Sequence, residues 1–378
     1  MSLLIGADFV PTESNIDLFK AGNVRELFGE ELLAVIEKAD FRIFNLETPL
    51  ADKKTPISKC GPNLIASTES IPGFIASKVD LFTIANNHIL DQGVQGLNST
   101  CRTLSNHGIA YVGVGSNLVE TQKTYVFLHQ GKKIGVYACV EHEFSVATEN
   151  RPGANPFDPL ESFDHVNELS DECDYTIVLY HGGKEHYRYP SPCLQKICRK
   201  FADKGADLIV CQHSHCLGCR EEYKQGTIVY GQGNFLFDRS TNEMWNTGVL
   251  IRIEDDYSIS YIPIIRQENK VRLANNKQKE EILKGFEERS AEILRDGFIS
   301  KKYIEFAKDN ISWYFYSIGG TWRSAIFRIY RKIIKKNPDI RKCYSKKRII
   351  EIINCIEDEA HFELLLTGLK HSIDGDED

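Results

Sequence analysis

Histidines, carboxylates and amides in this chain gather immediately after short apolar runs. ANNHILDQGV (85–94) follows DLFTI, His181 follows TIVLY, and His213 and His215 follow ADLIVCQ. Side chains alternate along an extended segment, so His213 and His215 are expected on one side of it, a spacing suited to one metal ion or two adjacent ones. Asp8 after LLIGA and Glu47 in FNLETPL add carboxylates. A mixed His/Asp/Glu/Asn set of this kind suits zinc, manganese or iron. Within 86–91, Asn87 offers an amide oxygen to a metal and His88 a proton to a substrate. Asp91 can orient the His88 ring, and a carboxylate partner suits an imidazole to general-acid work. The same residues suit an Asx-rich cap for a helix starting near Gly93. Taken alone, the stretch supports both readings equally.

Such residues need a scaffold, and the rest of the sequence outlines one. To about residue 265, apolar runs alternate with helix-like segments, the pattern of an α/β domain. Strands are expected at 3–6, 41–45, 81–85, 110–113, 134–140, 175–180, 208–211, 227–231 and 247–254, and helices at 24–38, 93–106 and 191–204. Asp8, Asn45, Glu47, Asn87, His88, Asp91, His142, His181, His213 and His215 all follow expected strands. Ligands in α/β sheets bind outside the carboxyl ends of strands, so these residues are expected to converge. The loops EHEFS, with Glu141, His142 and Glu143, and KEHYRYPSP, with Glu185 and Tyr187, suit a polar sugar- or amino-acid-containing ligand. Solvated loops are the alternative.

A domain boundary is expected near 270, giving an α/β domain over 1–270 and a helical C-terminal region over 271–378. Between Trp322 and Arg348 there are eleven Lys or Arg against one Asp. Interleaved with Ile, Phe and Tyr, that segment suits peripheral contact with anionic lipid at the inner membrane face, or a helix packed on the main domain. The overall charge of −7 argues against nucleic-acid binding. Eleven scattered cysteines, several inside apolar runs, suit a reducing cytoplasm better than a disulfide framework. Cys216 and Cys219 are expected as apolar filling rather than a structural zinc pair, since no second C-x-x-C lies nearby. No run reaches the length of a transmembrane helix and no secretory signal is evident, so a cytoplasmic protein is expected.

The pieces IGADFVP, FNLETPL, ANNHILDQGVQGL, VLYHGGKEHYRYPSP, KGADLIVCQHSHCLG and YGQGNFLFD occur in that order over residues 3–238. In these motifs the chain resembles the CapA-type poly-γ-glutamate and capsule-biosynthesis family of the calcineurin-like metallophosphoesterases. The resemblance implies a four-layer α/β sandwich with a binuclear metal site at the strand ends, here followed by the C-terminal helical region. By motif, Asp8, Glu47, Asn87, His181, His213 and His215 are expected as metal ligands, Glu47 as the bridge. His88 is expected as the catalytic acid with Asp91 as its orienter. Asn45, Glu141, His142, Glu143, Glu185, Tyr187 and Asn234 are expected near the substrate, with Lys59, Lys184 and Arg188 as sources of positive charge. The superfamily has a histidine two residues after the first aspartate, and here that position is Val10. The first metal site is therefore expected to be weak, empty, or rebuilt by Glu13 or Asn45. The implied function is a metal-dependent hydrolysis or transfer at a phosphoester or amide centre in capsule, exopolysaccharide or poly-γ-glutamate synthesis. A non-catalytic subunit that binds polymer or a synthase on the same fold is the second reading.

Overall fold

The computed structural model describes residues 2–238, 242–318 and 344–357, together with His361, Phe362, Leu365, Leu366 and Leu369. Numbered along the chain, the strands are β1 (Ser2–Phe9), β2 (Phe41–Asn45), β3 (Leu81–Thr83), β4 (Ala110–Val112), β5 (Val114–Gly115), β6 (Tyr125–His129), β7 (Lys132–Val140), β8 (Gly153–Ala154), β9 (Tyr175–His181), β10 (Leu208–Cys211), β11 (Arg220–Tyr223), β12 (Gly226–Val229), β13 (Asn234–Leu236), β14 (Thr247–Glu254), β15 (Ile259–Gln267) and β16 (Lys270–Leu273). The helices are α1 (Ile16–Lys20), α2 (Val24–Lys38), α3 (Ile71–Ala76), α4 (Gly93–Asn106), α5 (Leu118–Thr121), α6 (Ser162–Glu172), α7 (Pro192–Asp203), α8 (Asn276–Glu292), α9 (Phe298–Ile318) and α10 (Lys346–Glu357).

An eight-stranded sheet has the order β16-β15-β14-β1-β2-β3-β4, with β13 also paired to β1. A six-stranded sheet has the order β11-β12-β10-β9-β7-β6. In the first sheet β1, β2, β3 and β4 run parallel out to one edge, with β14, β15 and β16 antiparallel on the other side; in the second, β7, β9, β10 and β12 run parallel between the antiparallel edges β6 and β11. Central strands covered on both faces read as nearly continuous apolar runs, and the period of two decides which layer each side chain joins. In β9, Ile177 and Leu179 enter the core shared with Leu3, Ile5, Ile43 and Leu81 of the first sheet. Val178 and Tyr180 enter a second core with Val166 and Leu169 of α6 and Leu194 and Phe201 of α7. A third core joins Leu4, Phe44 and Phe82 to Leu27, Phe28 and Ile36 of α2, Phe74 of α3 and Leu97 of α4. Three cores separate four layers, helices, sheet, sheet, helices, the sandwich the resemblance implied.

The chain forms two compact units, Met1–Ser300 and Lys301–Asp378. This division differs from the sequence boundary near 270. Strand β16 extends the first sheet across that position, and α8 places fully buried Phe286 in the core between the sheets. Arg289 of α8 donates to the carbonyls of Gly218 (2.7 Å) and Leu217 (3.1 Å). The described part of the second unit is helical. Residues 322–343 of the basic segment lie outside the described residues. Among the described residues, no helix is long and apolar enough to cross a membrane.

Candidate metal centre and its proton donor

The parallel strands of both sheets bring their carboxyl ends to one rim, and the polar residues that follow them meet there. Asp8 lies near the end of β1, in register with Asn45 at the end of β2 and Asn234 at the start of β13. Glu47 follows β2, His181 ends β9, and His213 and His215 follow β10. Asp8, Glu47 and Asn45 are fully enclosed, and Asn87, His181, His213 and His215 are buried as well.

His181 Nε2 lies 3.0 Å from Asn87 Oδ1, 3.1 Å from His213 Nδ1 and 3.3 Å from Glu47 Oε1. Beside this group, His215 Nδ1 lies 3.4 Å from Asp8 Oδ2, and its Nε2 lies 3.9 Å from Glu47 Oε1. One ligand atom each from Glu47, His213 and His215 falls within 4.8 Å of the others. Glu47 thus stands between a set made of Asn87, His181 and His213 and a set made of Asp8 and His215. Asp8 Oδ2 and both Glu47 oxygens are buried without a hydrogen-bond partner. Buried carboxylate oxygens left unpaired beside imidazole nitrogens fit a shared divalent cation better than any neutral packing. Electrostatics point the same way. Burial and the neighbouring Glu47 charge raise the pKa of Asp8. Burial also opposes ionisation of Glu47, but His215 and His181 overcome it and hold that carboxyl below the usual range. Against burial, the Glu47 and Asp8 carboxylates push His215 up to about 10. The two carboxylates favour positive charge beside them, whereas burial and the facing His181 and His215 rings push His213 down.

Two sequence expectations need correction here. The 213–215 segment is a bend, not an extended run, because His215 adopts a left-handed backbone at φ 50°. Its ring is held by Asn234, whose Oδ1 lies 2.8 Å from His215 Nδ1, and by a stack on Trp245 with centroids 4.5 Å apart. The helix-cap reading of 86–91 also fails. The residue capping α4 is Gln92, which makes no side-chain cap bond, while Asn86, Asn87 and Asp91 turn inward.

Asn86, which the sequence left without a role, donates to Asn45 Oδ1 (3.1 Å) and to the Leu46 carbonyl (2.9 Å), and its own Oδ1 receives the His88 amide (3.2 Å). Asn45 in turn points its amide nitrogen at Asp8 Oδ1 (2.7 Å) and His181 Nδ1 (3.3 Å). With its nitrogen donating to Asp8 Oδ1 and its oxygen accepting from Asn86, Asn45 does not rebuild the ligand missing at Val10. Neither does Glu13, which is exposed. Val10 itself is buried, and its amide donates to the Leu236 carbonyl (2.7 Å).

His88 sits beside this cluster with Nδ1 2.6 Å from Asp91 Oδ2. That short contact to a carboxylate oxygen places the proton on Nδ1 and leaves Nε2 as the exchanging nitrogen. Of the expected substrate residues, Asn45 and Asn234 belong to the buried cluster. Glu141 is largely buried and accepts from the Gly183 amide (3.0 Å), bracing the turn after His181. His142 and Glu143 are exposed and Glu185 half-exposed, so none of the three enters the cluster. Tyr187 is buried with its ring edge-on to Tyr189 at 5.9 Å. Lys184 is exposed and Arg188 pairs with Glu243 (3.0 Å). Cys216 and Cys219 are fully buried, Cys219 within the apolar core beneath α7.

Residues 4–239, well over half of the chain, match the family described as bacterial capsule synthesis protein PGA_cap. The chain belongs to this family. It is similar to the capsule biosynthesis protein CapA of Bacillus anthracis, 28% identical over 214 residues that cover 54% of this chain and 52% of that protein. It is also similar to the PGA biosynthesis protein CapA of Bacillus subtilis (strain 168), 28% identical over 209 residues covering 54% of this chain and 55% of that one. The chain thus spans about half the length of the relatives it matches. Among solved structures it is similar to a phosphatase of Mycoplasma pneumoniae, with TM-score 0.45, 14% identity and coverage of 71% of this chain and 94% of that one. It is likewise similar to the NAD nucleotidase of Haemophilus influenzae, with TM-score 0.42, 12% identity and coverage of 82% and 67%.

Proposed function

We propose that this member of the family is a metal-dependent enzyme of capsule, exopolysaccharide or poly-γ-glutamate biosynthesis. It hydrolyses or transfers at a phosphoester or amide centre of a glycan, polyglutamate or phosphoester substrate. The observation that carries this reading is that Asp8 Oδ2 and both Glu47 oxygens are buried without a hydrogen-bond partner and face imidazoles. Asn87, His181, His213 and Glu47 would hold one divalent cation, and Asp8, His215 and Glu47 a second in a site poorer by one donor because of Val10. Divalent ions bound there supply Lewis acidity and water activation. As an imidazolium whose Nδ1–H is held by Asp91, His88 delivers its Nε2 proton to the leaving group and is left in the Nδ1–H tautomer that the carboxylate favours.

A hydrolysis screen with manganese tests the reading on bis-p-nitrophenyl phosphate, p-nitrophenyl phosphate and a γ-glutamyl anilide. On any substrate the wild type cleaves, H88A is expected to lose about 100- to 10,000-fold in kcat, the range for a general acid. H213A is expected to lose bound metal. Variants that match wild type on every cleaved substrate would sink the assignment. Val10 favours the second reading, a polymer-binding or assembly subunit. That reading gains if the purified protein carries no metal and neither manganese nor zinc raises its melting temperature.

A further inference from the structure

The segment between β2 and α3, residues 51–67, has almost no regular structure of its own, yet it is tied closely to the turn that carries His88 and Asp91. Thr55 donates through its amide to Gln92 Oε1 (2.7 Å) and through its hydroxyl to the Gln92 carbonyl (2.7 Å). The Ile57 amide donates to the Asp91 carbonyl (3.1 Å), and Gln92 Nε2 donates back to the Leu64 carbonyl (3.0 Å). The Leu64 amide reaches the Asp91 carboxylate itself, at 2.6 Å from Oδ2. From the middle of this strap, Lys59 turns inward and forms an ion pair with Asp91 Oδ1. Its side chain is 2% exposed and that of Asp91 0%. Its Nζ lies 3.2 Å from His88 Nδ1.

A lysine on an irregular loop ordinarily keeps its ammonium in water, and full burial occurs only with a partner. The strap needs no such residue to stay in place, since its backbone and Thr55 already hold it to Gln92 and Asp91. We infer that Lys59 is a positioning residue for proton transfer. By occupying Asp91 Oδ1 it fixes the carboxylate plane so that Oδ2 faces His88 Nδ1. This inference rests on the reading of His88 as the proton donor. It differs from a substrate-facing charge, because the ammonium lies on the Nδ1 and Asp91 side of His88, while the exchanging nitrogen is Nε2. Without Lys59, the enclosed Asp91 charge loses its counter-ion, and the carboxylate is held only at Oδ2, which the imidazole shares with the Leu64 amide. The ring then samples the other tautomer and other orientations, and a misplaced general acid loses rate without losing substrate affinity.

The test compares full-length wild type, K59M, K59R and H88A. With manganese and bis-p-nitrophenyl phosphate, K59M is expected to lose about 100-fold or more in kcat with KM little changed, and K59R to recover most of it. In parallel, the histidine ring region of the 1H–15N spectrum is recorded on metal-free protein. The strongly downfield Nδ1 proton of His88, identified by its loss in H88A, is expected in wild type and K59R and absent or displaced in K59M. Retention of both the signal and kcat in K59M overturns the inference, and so does a loss confined to one of the two. If wild type cleaves no probe while K59M still loses the signal, the hydrolytic reading fails and the positioning role stands. K59A, which removes both the donor and the charge, takes the place of K59M if that variant does not fold, with the same outcomes.

Discussion

Most residue types needed by the site were visible in the sequence, but their partners were not. Asn45 was expected at the substrate, and it instead spans Asp8 and His181 as an amide bridge completed by Asn86. Which end of an amide faces which neighbour depends on groups brought from three different strands, and no local spacing encodes it. Asn45→Ala is expected to destabilise the protein by about 1–3 kcal/mol, because it strips partners from a buried carboxylate oxygen and a buried amide at once. Urea unfolding of the metal-free protein measures this. A change near zero would mean that the bridge is not part of the cluster's support. Lys59 was one of three cations considered for the mouth of the site. Burial separates it from Lys184 and Arg188, and only its pairing with Asp91 shows that it stands behind the imidazole.

At the scale of elements, the central strands were legible because the layer a side chain joins follows from the period of two. Expected strands at 41–45 and 247–254 appear with those bounds, and α2 and α4 match the expected helices. The strands the sequence reading missed are mainly edge or short ones. In β6, half-buried and exposed positions alternate, and β11 and β16 mix charged with apolar residues, so none of these forms the apolar run that marks a central strand, while β15 carries such a run interrupted by Pro263. The close approach of β1 to β2 makes a sharper prediction. A Cβ at Gly6 would meet the Phe44 ring at 2.1 Å, too near for either strand to absorb without moving. Gly6→Ala is expected to cost about 1–3 kcal/mol through overpacking. The shift in urea midpoint checks this, and an unchanged midpoint would mean the Phe44 ring has room to turn aside.

At the scale of the whole molecule, the unit ending at Ser300 includes α8, and the sequence boundary near 270 would remove it. The charged pattern of that helix read as a separate region because few of its residues are apolar. Phe286 and the Arg289 contacts to Leu217 and Gly218 nevertheless tie it to the sandwich. A chain ending after Ser300 is expected to unfold cooperatively and to keep its stabilisation by manganese. A chain ending after Lys270 loses Phe286, whose burial alone is worth about 1.5–3 kcal/mol, and most of β16 as well. Differential scanning calorimetry of the two truncations decides between the boundaries. Equal melting temperatures would favour the division at 270.

The sequence by itself determined the layered α/β scaffold and the inventory of ligand-type side chains at the strand ends. Backbone alternation, parallel-strand burial and the order of the motifs act over short stretches, which a single chain displays directly. Only the tertiary structure decided the direction of the Asn45 amide, the bend that aims His215 and the failure of Glu13 and Asn45 to replace the ligand missing at Val10. It also brought Lys59 to Asp91. Each of these depends on segments distant in sequence being packed together around buried charge, where the energetic cost of an unpaired group selects one arrangement.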